Sequence, residues 1–168
     1  MSISLYDTAI NTFRQGLGSL DAILTKAEAH AIAKGYDPNN LLRARLAPDM
    51  FDLLRQVQIA CDMAKSGAAR LAGVDVPVHE DKETTFAELH ARIAKVLAFV
   101  GGLDRAAIDG AADRLVTVPL RDRKMEFKGR DYLVGWVLPN LYFHLTTAYA
   151  ILRHNGVELG KKDFLGGQ

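Results

Sequence analysis

The chain has 168 residues, enough for one domain that buries roughly 70% of the surface its unfolded form exposes, so neither disulfides nor a structural metal are needed to hold it. Its 21 Lys and Arg stand against 20 Asp and Glu, which leaves no basic excess and makes nucleic acid a poor expected partner. The single cysteine, Cys61, excludes an internal disulfide and a multi-cysteine zinc site, fits a reducing compartment, and reads as a small buried apolar residue rather than a nucleophile.

The opening "MSISLYDTAINTF" lacks the charged region and long apolar run of a signal peptide, and no uncharged apolar stretch reaches membrane length. The expectation is a soluble, cytoplasmic protein, a single domain over 1–168. Ser4 predicts the cap of a first helix with Leu5, Ala9, Ile10, Phe13, Leu17, Leu20, Ile23, Leu24 and Ala27 at helical spacing. Gly35 fits its left-handed C-cap, and Asp37 with Pro38 predicts a short capped turn in "DPNNLL". A second helix is expected from "APDMFDLL", with Pro48 near its first position, to Gly73. The twelve-residue "VDVPVHEDKETT" carries charge without a helical stripe and serves as a connection. Thr85 and Glu88 have capping-box spacing for a third helix, ended by Gly101 and Gly102.

The period then changes. "RLVTVPLRDRKMEFKGRDY" predicts a small hairpin, Leu115–Leu120 against Met125–Phe127, with Pro119 confining its first strand to an edge. A last helix is expected from about Asp131 to Asn155, kinked at Pro139. Phe164 and Leu165 in the tail are expected to dock on the other helices. Four long helices with one hairpin make an all-α four-helix bundle.

One side of the last helix carries Leu133, Val137, Asn140, Leu141, His144, Ala148 and Ile151. Two polar residues on a core-facing stripe need partners, because a buried unpaired polar group costs on the order of 1–3 kcal/mol. The residues leave two accounts open: a satisfied core pair, or the wall of a cavity between helices. Gln58 borders the apolar arc of the second helix and is placed to reach the same space, with Asp62 and Tyr6 as weaker candidates. His30, His79 and His90 read as surface residues, and His154, ten residues after His144 and on another face, as a favourable charge at the negative end of the helix dipole. A three-histidine set of His30, His90 and His144 stays open, although no spacing asks for it. No phosphate loop, nucleophile elbow or metalloprotease helix is present.

The stretches "RLAPDMFDLLRQVQIACDMAKSGAARLAG", "DKETTFAEL" and "YFHLTTAYAILRHNGVELGKKDFLG" together resemble a family of bacterial and fungal proteins known as a domain of unknown function, within the DinB/YfiT-like superfamily of proposed metalloenzymes. The resemblance covers essentially the whole chain. It implies a four-helix bundle with a long crossover between helices 2 and 3, frequently a homodimer. It also implies a divalent metal on three histidines, one on the second helix and two in a His-x-x-x-His pattern on the last. On that pattern His144 is the final histidine, Asn140 stands where the earlier one would be, and Gln58 stands on or near the second-helix position. Carboxamides are weak donors for zinc or nickel. The implied site is therefore degenerate, with no cofactor beyond a weakly held divalent metal, and better suited to a small-molecule ligand. Two other functions remain open: a metal-dependent hydrolase or thiol-dependent transferase using His144 as ligand or base with Asp62 as the nearby acid, and a structural or interaction dimer.

Overall fold

In the computed structural model, which describes residues 3–167, the first helix, α1 (Leu5–Lys34), starts where Ser4 Oγ accepts the Asp7 amide at 3.0 Å. A 3-10 helix, Pro38–Arg43, follows, its first amides capped by Asp37. The helices α2 (Leu53–Ala72) and α3 (Phe86–Gly101) come next. Gly35 and Gly73 end α1 and α2 in the left-handed conformation, at φ of 78° and 73°, where a Cβ would be strained. Both elements of the Thr85–Glu88 capping box form. After a short α4 (Arg105–Asp109), β1 (Leu115–Pro119) pairs antiparallel with β2 (Lys124–Lys128), with Val116 opposite Phe127. Val116 and Val118 turn inward and alternate with exposed neighbours, the period-2 pattern of a half-buried strand.

The last helix is assembled from three pieces: α5 (Gly129–Tyr132), a π-helical turn (Leu133–Val137) and α6 (Leu138–His154). A final turn, α7 (Lys161–Phe164), lies against α1, and Phe164 packs edge-on to Tyr149. In the bundle, α2 packs on α3 and α6, and α1 closes the ring against the same two helices. Fully buried Phe13, Leu17, Leu53, Phe86, Leu89, Tyr132 and Leu141 fill the space between them. The long crossover from α2 to α3, residues 74–85, has no regular secondary structure. This is the expected all-α four-helix bundle with a hairpin before its last helix.

Three boundaries differ from the sequence reading. The helix α2 begins five residues after Pro48, because Asp52 is the residue whose side chain caps it, accepting the Arg55 amide at 3.0 Å. The short α4, capped by Asp104, was not anticipated. Pro139 produces a π turn rather than a simple kink. Proline lacks an amide hydrogen and its ring presses on the carbonyl four residues back. The chain widens just before it, so that the Leu138 amide reaches back five residues to the Leu133 carbonyl, and Pro139 falls in the first turn of α6.

Candidate functional site

His144 lies at the interface of α6 with α2, 8% exposed. Its Nδ1 stands 2.7 Å from Oε1 of Gln56, a residue buried in the first turn of α2. The Gln56 Nε2 donates to the Phe51 carbonyl at 3.2 Å, which fixes the other atom of that amide as an acceptor. The histidine therefore donates through Nδ1–H and carries a lone pair on Nε2. Among the described residues that nitrogen makes no hydrogen bond, and it is not sealed from solvent. Burial, with the nearby charge of Arg55 adding to it, holds the pKa of His144 below the usual histidine value, so the neutral ring is favoured. Phe143 packs edge-on to the imidazole. Phe51, more than half exposed, lies under the Arg55 guanidinium.

The other residues singled out by sequence lie elsewhere or face other partners. Asn140 is half-buried, and its Nδ2 donates to the Trp136 carbonyl at 2.7 Å, within the turn that Pro139 disrupts. Gln58 is buried on a different face of α2, two residues and some 200° from Gln56. There its Nε2 donates to Glu83 at 2.9 Å and its Oε1 accepts from Arg55 at 3.1 Å. Arg55 is thus the link between Gln58 and the surroundings of His144. Asp62 pairs with Arg92 and Lys65, at 2.9 and 2.8 Å, rather than with His144. Tyr6 packs under Arg105 and gives its amide to Asp109.

The face of α2 that carries Gln58 and Asp62 holds a buried charge network that sequence reasoning missed. Arg92 of α3 is 4% exposed and reaches Glu83 at 2.9 Å and Asp81 at 3.0 Å as well as Asp62. Burial works against its charge, but the surrounding carboxylates outweigh that and raise its pKa further. Two of those acids come from the crossover, so the network fastens that loop to the bundle. Cys61 is fully buried beside it, and burial pushes its thiol pKa up to about 12, the environment of an inert cysteine. His90 bridges Asp21 and Glu28 of α1, at 2.6 and 3.0 Å, and His30 packs edge-on to Tyr36, so neither joins His144. Among the described residues no group of three or more His, Cys, Asp and Glu side chains converges on a point that a metal ion could take. No helix among them is long and apolar enough to cross a membrane.

Gln56 had one signal in the sequence. It sits between Leu53, Val57 and Ala60, all buried, and a helix started at Leu53 turns it inward with them.

A family model described as a domain of unknown function (DUF1993) matches residues 5–165. The chain is also similar to a crystal structure of a DinB family member from Shewanella denitrificans, at 49% identity and a TM-score of 0.90, over 98% of this chain and 93% of that one. No curated protein matches it.

Proposed function

The chain belongs to the DUF1993 family of domains of unknown function, and from that premise we propose that it is a cytoplasmic, homodimeric DinB-like protein whose metal position has degenerated into a binding site for a small hydrogen-bond-donating ligand. The observation that carries this reading is the 2.7 Å bond from His144 to Gln56. It commits Nδ1 and leaves the Nε2 lone pair as the acceptor a ligand meets. Asn140, one turn before His144, is the remaining polar position on that face, whereas Gln58, Asp62 and Tyr6 are engaged with other partners.

The donor set does not fit a tightly held divalent metal. One imidazole stands with carboxamides, Gln56 Oε1 is turned to the ring rather than to a shared point, and the Asn140 amide nitrogen is committed to a backbone carbonyl. Elemental analysis of untagged protein prepared without chelator should therefore give well under one metal per chain, unchanged in His144→Ala. One equivalent that vanishes in the variant would overturn the reading. Long-range proton–nitrogen NMR spectra should show the Nδ1-protonated tautomer at neutral pH, and a ligand found by thermal shift should move the Nε2 resonance.

A second reading rests on the same neutral ring. A histidine oriented through Nδ1 and uncharged at neutral pH is in the form of a general base, as a hydrolase or thiol-dependent transferase needs. A pH–rate profile on a panel of activated esters, with an inflection below the usual histidine value and lost in His144→Ala, would favour it.

A further inference from the structure

The crossover is fastened at its ends and loose between them. Val74 donates its amide to the Ala69 carbonyl at 3.0 Å, and Asp81 and Glu83 hold Arg55 and Arg92. Among the described residues, 75–80 make no hydrogen bond to any helix, and none of them is fully buried. A segment held by packing alone opens at low free energy.

One side chain of this segment turns inward. His79 is half-buried and shares a hollow with Ala91, Arg92 and Lys95 of α3. Its Nδ1 is sealed from solvent without a hydrogen-bond partner, whereas Nε2, also without one among the described residues, reaches solvent. The neutral ring keeps its proton on Nε2 and leaves only a lone pair unmet at Nδ1. The imidazolium donates from both nitrogens, and its second proton would lie at Nδ1 with neither acceptor nor water.

No carboxylate is spare to meet the added charge. Lys65 of α2 and Lys95 and Arg92 of α3 act on the ring as like charges, and Asp62, which opposes them, is already shared by Lys65 and Arg92. Of the other acids around the hollow, Glu83 is bound to Arg92 and Gln58, Glu80 to Lys82, and Glu88 to the Thr84 and Thr85 amides. Burial, and then the three cations, hold the His79 pKa below the usual histidine value. For Asp81 and Glu83 burial works against the charge, but hydrogen bonds from arginine outweigh it and keep both pKa values below their ordinary ones. Between about pH 5 and 7 the anchors thus stay ionised while His79 changes charge.

We propose that residues 75–80 are an acid-released strap: His79 is neutral while the strap lies on α3, and a proton on its ring frees the strap between Val74 and Asp81. The open strap binds that proton more tightly, because there Nδ1 meets water and the ring stands away from the three cations. Closure is therefore fully favoured above about pH 6.5, the value of a solvated histidine, and weakens as pH falls toward the lower value of the closed strap.

Nitrogen-15 relaxation of the full chain tests this, with the His79 ring followed in the same samples. The amides of Asp75, Val76, Val78, His79 and Glu80 should have order parameters of about 0.85 near pH 7.5 and below about 0.6 near pH 5, with a midpoint that coincides with the ring titration. His79→Gln should keep the strap ordered at both pH values, while His90→Gln and His144→Gln should leave the transition in place. Lys95→Gln, which removes one like charge, should move the midpoint up by about 0.2–0.5 of a pH unit, and it decides the matter if glutamine at position 79 itself loosens the strap. Ordered amides down to about pH 5 in the parent chain would overturn the proposal. So would a transition that survives His79→Gln, or a Lys95→Gln midpoint that does not rise.

Discussion

The helix α2 turns two polar faces into the bundle, and they are satisfied in opposite ways. Toward α6, Gln56 and His144 form an uncharged pair with one ring nitrogen left over. Toward α3 and the crossover, Arg92 and Lys65 meet Asp62, Asp81 and Glu83, Gln58 bonds to Glu83, and among the described residues Arg92 Nε alone of the guanidinium nitrogens has no partner. A buried charge needs a counter-charge, because desolvation costs several kcal/mol per ion unless opposite charges and hydrogen bonds offset it. A neutral pair tolerates an unfilled lone pair at far smaller cost. The charged face is therefore committed to structure, and the neutral face is the one free to recognise a ligand.

The largest expected effect breaks the charged face. Arg92→Ala leaves Asp62, Asp81 and Glu83 without their shared cation; because these acids are partly exposed and Asp62 and Asp81 keep Lys65 and Arg55, the loss should be about 2–4 kcal/mol. Urea denaturation would measure it. Since Asp81 and Glu83 belong to the crossover, limited proteolysis should also cut the variant within residues 74–85 faster than the parent chain. A loss under about 1 kcal/mol, the range of an exposed ion pair, would show that the network carries no structural burden.

A smaller effect is expected on the neutral face. Gln56→Ala strands the His144 Nδ1–H and should cost about 1–3 kcal/mol, and His144→Ala should cost a similar amount through the stranded Gln56 oxygen and the lost packing. The Gln56→Leu, His144→Leu double variant removes both polar partners and should recover much of the loss. A double-mutant cycle from denaturation midpoints gives the coupling, expected near 1 kcal/mol. Coupling of zero would mean that the pair does not orient the ring.

Much of the fold was legible because its boundaries are made by local chemistry. Ser4, Asp37 and the Thr85–Glu88 box cap helices where spacing said they would, and the β-rich runs Leu115–Leu120 and Met125–Phe127 marked the hairpin. His144 was legible as a buried polar residue, since its stripe of Leu141, Ala148 and Ile151 is unambiguous. Its partner was not. A helix started at Pro48 rather than at the Asp52 cap counts exposed Phe51 as part of the apolar stripe and points to Gln58 instead of Gln56. Gln58 is buried all the same, but against Glu83 from a connection whose path no periodicity reveals. Asn140 was read as facing inward, whereas the π turn before Pro139 gives its side chain a backbone carbonyl to satisfy.

The smallest effect separates the histidines by sign. For His90, burial opposes the charge, but the hydrogen bonds it donates to Asp21 and Glu28 prevail and raise its pKa above 6.5. Its contribution to stability is full below about 6.5, the unfolded value, and fades as pH rises through the higher folded value. For His144 the pKa is lowered by burial and by Arg55, so the unfolded chain binds the proton more readily. Its contribution is full above about 6.5 and is lost as pH falls toward the lower folded value. His79, lowered by burial and by Lys65, Lys95 and Arg92, acts in the same direction as His144. Denaturation midpoints taken across roughly pH 5 to 8 should thus fall at both ends. His90→Gln should flatten the alkaline side by about 0.2–1 kcal/mol and leave the acid side in place. His144→Gln should do the reverse, and the two variants changing the same limb would contradict the assignment of a charged clamp on α1 and a neutral acceptor on α6.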